Sequence, residues 1–229
     1  MAMKLTTSKE ASRTHGVKFL VYGESGSGKT VLASTMPSPI IISAEAGLLS
    51  LHDLDVDIPV IEIQNIDDLD EAYRFLQTSE DAKNFESFCL DSVTEIAETC
   101  LSAEKARDPD PRKFYVNMQE KVMNKIRMFR DISGRHVYFS AKMSREKDDR
   151  LGGMIYQPMM PGRQLGPALP YMFDEVFVLR VEEDTDHNVS RWLQTQPDPQ
   201  HTAKDRSGRL AQFEEPNLSN IITKIIGEN

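Results

Sequence analysis

The chain has 229 residues, 39% of them hydrophobic, and a formal net charge of −9. That length can bury one sizeable core, so a single domain is expected. The acidic balance excludes indiscriminate binding to nucleic acid, and no run approaches the about 18 uncharged apolar residues of a membrane-spanning helix.

Residues 1–16 are polar, lack an apolar signal core, and read as an N-terminal arm and candidate oligomerisation segment. The rest, 17–229, reads as one domain. An apolar strand is expected at 17–22. It leads into Gly23-Glu24-Ser25-Gly26-Ser27-Gly28-Lys29-Thr30, which fits G-x-x-x-x-G-K-[ST] at every fixed position. Val31 continues a helix that should stop near Pro37 and Pro39. Strand, glycine-rich loop and helix in that order cradle phosphates on backbone N–H groups. Gly23 through Val31 are therefore candidate nucleotide contacts. Lys29 is placed to reach the β- and γ-phosphates of ATP, and Thr30 to hold Mg2+.

A second strand, 40–43, runs into Ser43-Ala44-Glu45-Ala46-Gly47. Glu45 then stands at the carboxyl end of a neighbouring strand, where a carboxylate can polarise an attacking water; a solvated turn is the alternative. A strand at 59–63 and a helix at 67–77 follow, with Asp67 and Asp68 suited to the helix N-terminus. The apolar strand 85–91 ends in Asp91. This is the place for a second Mg2+-organising carboxylate, or for a helix cap. Helices are expected at 93–107 and 113–132. The second puts Val116, Val122, Ile126 and Phe129 near one face, with Lys121, Lys125 and Arg127 outside it.

Gly134 precedes a strand at 136–141. Lys142 ends that strand at the same sheet edge as the loop, as a phosphate sensor or simply the start of a loop. Residues 142–162 are polar, basic and rich in Gly and Met, and read as a long mobile loop. Arg145, Lys147, Arg150, Tyr156 and Arg163 combine cations with a stacking side chain, which suits single-stranded DNA; Asp148 and Asp149 dilute the signal, and a solvated flap is the alternative. Residues 40–110 carry 18 acidic and 4 basic groups, whereas 111–150 carry 5 acidic and 11 basic. A short helix at 164–173, strands at 175–181 and 191–195, and a terminal helix at 218–226 complete the pattern. Lys204-Asp205-Arg206 places two cations on one side of an extended segment, able to reach a neighbouring subunit's phosphate. Cys89 and Cys100 lack metal-ligand spacing, and a reducing, cytoplasmic setting is expected. Asn124-Lys125 and Ser140-Ala141-Lys142 echo GTPase motifs, but Arg127 replaces the needed aspartate and Asp91-Ser92-Val93-Thr94 lacks the switch glycine.

This ordered set over residues 16–210 resembles the RecA-like ATPase core. It looks most like the small, core-only RecA-type proteins of bacteriophages that act in single-strand annealing or recombination. The resemblance implies an α/β fold: a mostly parallel sheet with helices on both faces and an antiparallel C-terminal extension. It implies that Glu45 activates water, that Asp91 organises Mg2+, and that 143–162 is the mobile DNA-binding loop. It implies that Lys204 and Arg206 reach the next subunit's ATP. Lys142 departs from the family, where a glutamine commonly links ATP to DNA. The chain also lacks the large N-terminal and extended C-terminal domains of some relatives, so assembly would use the arm or the core.

The expected function is an ATPase, with ATP and Mg2+, that assembles as a ring or filament on single-stranded DNA and promotes annealing or recombination, alongside a single-strand-binding protein. The alternatives are a nucleotide-gated regulatory or replication-accessory module with little turnover, and, more remotely, a P-loop kinase for a small molecule. No membrane association is expected.

Overall fold

The structure is a computed structural model. It describes residues 5, 7, 15–45, 48–52, 54, 57–147 and 152–227. Most of the 1–16 arm, and Arg150 of the candidate DNA-binding set, lie outside the described residues.

Among the described residues ten strands form the sheet: β1 (Lys18–Gly23), β2 (Pro39–Ser43), β3 (Val60–Glu62), β4 (Ser87–Asp91), β5 (His136–Lys147), β6 (Met154–Pro158), β7 (Glu175–Glu183), β8 (Val189–Gln194), β9 (Lys204–Asp205) and β10 (Phe213–Glu214). The helices are α1 (Lys29–Ala33), α2 (Asp68–Thr78), α3 (Val93–Arg107), α4 (Pro111–Arg130), α5 (Leu165–Ala168) and α6 (Leu218–Ile226). The sheet order is β10-β8-β7-β1-β5-β4-β2-β3, with β6 on β5 and β9 on β7. From β3 to β7 every pairing along this path is parallel. The pairings made by β8, β9 and β10 are antiparallel. This is the expected mostly parallel sheet with an antiparallel C-terminal extension.

Alternation along the strands sends side chains to both faces. Leu20 and Tyr22 of β1 pack with residues of α2, α3 and α4, such as Leu69, Ala97 and Phe129. Phe19 and Val21 pack on the other side with Leu32 of α1 and Ile221 of α6. Both faces are covered, which is why the central strands read as unbroken apolar runs.

Three expectations change. In α4 the buried stripe is Phe114, Met118, Val122, Ile126 and Phe129. Val116 is exposed, because it lies roughly 200° around the helix from Phe114 at about 100° per residue. Helix α1 ends at Ala33, short of Pro37. Ser34 and Thr35 hydroxyls donate to the carbonyls of Val31 and Leu32, at 2.6 and 2.7 Å, in place of continued helix. The third change is the largest. Within the expected loop, residues 143–147 and 154–158 form the two arms of a β-hairpin: β5 continues past the sheet to Lys147 and pairs antiparallel with β6, Met143 opposite Pro158 and Lys147 opposite Met154. The β5 arm, Ser144 to Lys147, is a continuous polar run, and β6, Met154 to Pro158, is short and ends in proline, so neither arm carries an alternating strand signal. Gly152, at φ 73°, with Gly153 leads the chain into β6.

Candidate nucleotide site

The carboxyl ends of β1, β2, β4 and β5 open on one cleft of about 1000 Å³. The phosphate loop forms its floor. Gly26 and Gly28 have φ of 74° and 102°, which other residues adopt only at a cost in strain. Gly23 has no room for a side chain: a Cβ there would lie 2.9 Å from the Leu179 carbonyl oxygen and from Ser27 Oγ. The Lys29 ammonium curls back over the loop and donates to the carbonyls of Gly23 and Glu24, at 3.0 and 2.8 Å. Burial lowers its pKa, while the charges of Asp91 and Glu45 oppose that shift. These carbonyls hold the ammonium over the cradle, in reach of a phosphate lying on the loop. Tyr138, on β5, donates to the Lys29 carbonyl at 2.8 Å and fixes the start of α1.

Asp91 is 3% exposed. Thr30 Oγ1 donates to its Oδ2 at 2.6 Å, and Ser140 donates to its Oδ1. The helix cap is the next residue: Ser92 Oγ accepts from the Glu95 N–H. Asp91 is thus left to face Thr30. A hydroxyl beside a carboxylate suits a hard divalent cation that also takes phosphate oxygens and water. Among the described residues no group of three or more His, Cys, Asp and Glu side chains could hold a metal ion.

Glu45, on a bend just past β2, lines the same cleft. Ser43 Oγ donates to its backbone carbonyl at 2.6 Å, and Ser92 Oγ donates to its Oε1 at 2.5 Å. The carboxylate is thereby oriented on the side of the loop where Asp91 and Lys142 stand. Sequence reasoning placed Glu45 and Asp91 but missed Ser92 and Ser140, the hydroxyls that aim them. For Ser92 the available signal was its place directly after a strand-end carboxylate; Ser140, inside β5, has no carboxylate beside it in sequence.

Lys142 pairs with Gly23 in the sheet and lines the cleft. Its ammonium is held by Glu95 and Glu98 of α3, at 2.7 and 2.9 Å. Partial burial pulls its pKa down, but the hydrogen bonds and charges of the two glutamates outweigh this, and the net shift is upward. One residue later β5 enters the hairpin. Arg145 and Lys147 are exposed on that hairpin, and Arg163 is exposed just beyond it. Tyr156 is not a free stacking face. Its ring lies 4.7 Å from and parallel to the His201 ring, and the Arg145 guanidinium stands over it at 5.7 Å. Tyr22 OH adds hydrogen bonds to the carbonyls of Tyr156 and Thr202, at 3.0 and 2.9 Å.

Lys204 and Arg206 do not join this chain's own cleft. Lys204 pairs with Val176 and Asp205 with Glu175, near the amino end of β7 and so at the sheet edge opposite the loop. The Lys204 ammonium donates to the carbonyls of Pro170 and Phe173. Arg206 pairs with Asp174 at 2.7 Å and stays largely exposed.

Among the described residues no helix is long and apolar enough to cross a membrane. A comparison with curated proteins finds no match. Among solved structures, a KaiC-like protein from the hyperthermophilic archaeon Pyrococcus horikoshii OT3 is similar at 18% identity and a TM-score of 0.46, over 78% of this chain and 77% of that one. The AAA domain family matches residues 15–207. The chain belongs to that family of P-loop ATPases.

Proposed function

We propose that the protein is an ATP- and Mg2+-dependent ATPase whose turnover is coupled to single-stranded DNA, and that it promotes annealing or recombination. The observation that carries this reading is the continuity of β5. Its residue Lys142 lies beside Gly23 of the phosphate loop, and the same strand then becomes the hairpin bearing Arg145 and Lys147. An ATP γ-phosphate beside Lys142 would compete with Glu95 and Glu98 for its ammonium. A shift of that residue is passed directly to the hairpin. Arg145, Lys147 and Arg163 would neutralise DNA phosphates. Tyr156 would act by holding Arg145 and the hairpin rather than by stacking on a base.

In this reading the working form is an assembly of identical chains. Arg206, exposed at the far edge of the sheet, would reach the ATP of the next subunit. Lys204 would support that edge, since its ammonium is taken up by two carbonyls. The test is hydrolysis with and without single-stranded DNA at low salt, where phosphate contacts are strongest. A rise on DNA addition is expected. Mixing inactive Lys29→Ala and Arg206→Ala chains should restore part of the activity if the site is shared.

A second reading has one specific support. The Lys142 ammonium is already saturated by two carboxylates, which favours a nucleotide-gated regulatory module with slow turnover. ATP-dependent assembly with hydrolysis indifferent to DNA would select it.

A further inference from the structure

Strand β7 runs on past the level of the phosphate loop. Its Val178 is opposite Tyr22, and five more residues, ending at Glu183, extend beyond. Strand β8 returns antiparallel along that extension, with Arg191 opposite Val181. This brings the Arg191 side chain down onto the loop. Its Nε donates to the Ser27 carbonyl at 3.0 Å. A Cβ at Gly28 would lie 3.4 Å from Arg191 Nε and 3.6 Å from its Cδ. The side chain therefore packs close to Gly28, and Arg191 forms part of the cleft wall.

We propose that Arg191 is a nucleotide-binding residue: anchored by Nε, it offers its remaining guanidinium N–H groups to the α- and β-phosphates of a nucleoside di- or triphosphate. The inference rests on the cleft binding a nucleotide. Two observations direct it. The first is charge. Lys142 is already neutralised by Glu95 and Glu98, and Lys29 faces the charges of Asp91 and Glu45. Arg191 has no carboxylate partner among the described residues, so its charge is free for a polyanion. A guanidinium fixed at one nitrogen still presents donors in the planar geometry that phosphate oxygens accept.

The second is position. Glu45, Asp91 and Lys142 belong to β2, β4 and β5 or the residues just after them, all on one side of β1. Arg191 comes from the other side, beyond β7. It stands away from the end of the cleft where a γ-phosphate meets Glu45 and Lys142. It should therefore grip ADP and ATP alike.

Titration calorimetry with ADP and with ATP, each with Mg2+ and without DNA, tests this. Arg191→Gln should raise Kd for both nucleotides by about tenfold, as for loss of a charge-assisted hydrogen bond. The dependence of log Kd on salt should also become shallower, because one screened charge contact is gone. Arg191→Lys, which keeps the charge but not the fork, should fall between the two in affinity and keep the wild-type salt dependence. A residue that merely buttresses Ser27 would leave the salt dependence unmoved. Unchanged affinities, an unchanged salt dependence in Arg191→Gln, or a loss confined to ATP would each overturn the proposal. If the wild-type chain bound neither nucleotide, the nucleotide-site reading itself would fall, and this inference with it. The outcome with DNA does not enter.

Discussion

Thr30 Oγ1 donates a 2.6 Å hydrogen bond to Asp91 Oδ2. The last residue of the phosphate loop and the last residue of β4 thus meet across β5, which lies between β1 and β4 in the sheet. Ser140 of that intervening strand donates to the other carboxylate oxygen. The fold itself therefore assembles the proposed cation-binding corner, with both hydroxyls donating to the Asp91 carboxylate. Asp91→Asn keeps the shape and removes the charge. Nucleotide affinity without Mg2+ should be unchanged, the gain on adding Mg2+ should vanish, and hydrolysis should fall at least about a hundredfold. Titration calorimetry with and without EDTA separates the first two effects.

Glu45→Gln retains an oxygen to accept from Ser92, at 2.5 Å in the native chain. Stability and ATP affinity should be those of the wild type. Hydrolysis should fall by about 10²–10⁴, the usual contribution of a general base. Steady-state phosphate release alongside equilibrium binding checks both halves. Equal losses in binding and turnover would place Glu45 in the binding set instead.

Lys204 and Arg206 should separate sharply. The Lys204 ammonium satisfies the carbonyls of Pro170 and Phe173, so Lys204→Ala should cost about 1–3 kcal/mol of stability through orphaned acceptors. Arg206 makes a largely exposed pair with Asp174, and Arg206→Ala should cost at most about 1 kcal/mol. Urea denaturation gives both values. If Arg206 acts across subunits, its variant should nonetheless lose most of its hydrolysis while remaining folded.

Glu175 is 1% exposed, and among the described residues its Oε2 accepts no hydrogen bond. Burial pushes its pKa up to about 8, with the nearby Asp205 carboxylate adding to the shift. In the unfolded chain a glutamate titrates near about 4.3. Between those values the folded chain holds a proton that the unfolded chain has released. This contribution to stability is complete below the unfolded value and is lost as pH rises through the folded one. Glu175→Gln should flatten the decline from mildly acidic to mildly alkaline pH and should be the more stable chain at the alkaline end. Denaturant midpoints across that range measure it.

The phosphate loop was legible because its chemistry demands particular residues at fixed spacing. Glu45 and Asp91 were legible because apolar strands ended in carboxylates. The hairpin of β5 and β6 was not, since Ser144, Arg145, Glu146 and Lys147 pair by backbone hydrogen bonds and carry no apolar alternation. β9 and β10 have two residues each, too short for any periodicity. Arg191 was hidden for a different reason. It lies 164 residues from Ser27 in sequence, and only the antiparallel return of β8 brings it to the loop. The carbonyl partners of Lys204 were equally out of reach, because they arise from how the chain turns after α5.

The proposed coupling to DNA depends on the link between the nucleotide cleft and the hairpin. The most direct test is the ATP turnover of the wild-type chain and of Arg145→Ala/Lys147→Ala, each with and without single-stranded DNA at low salt. DNA should raise wild-type turnover, and the double variant should keep the DNA-free rate while losing the rise. A wild-type rate indifferent to DNA, together with no DNA binding at low salt, would contradict it.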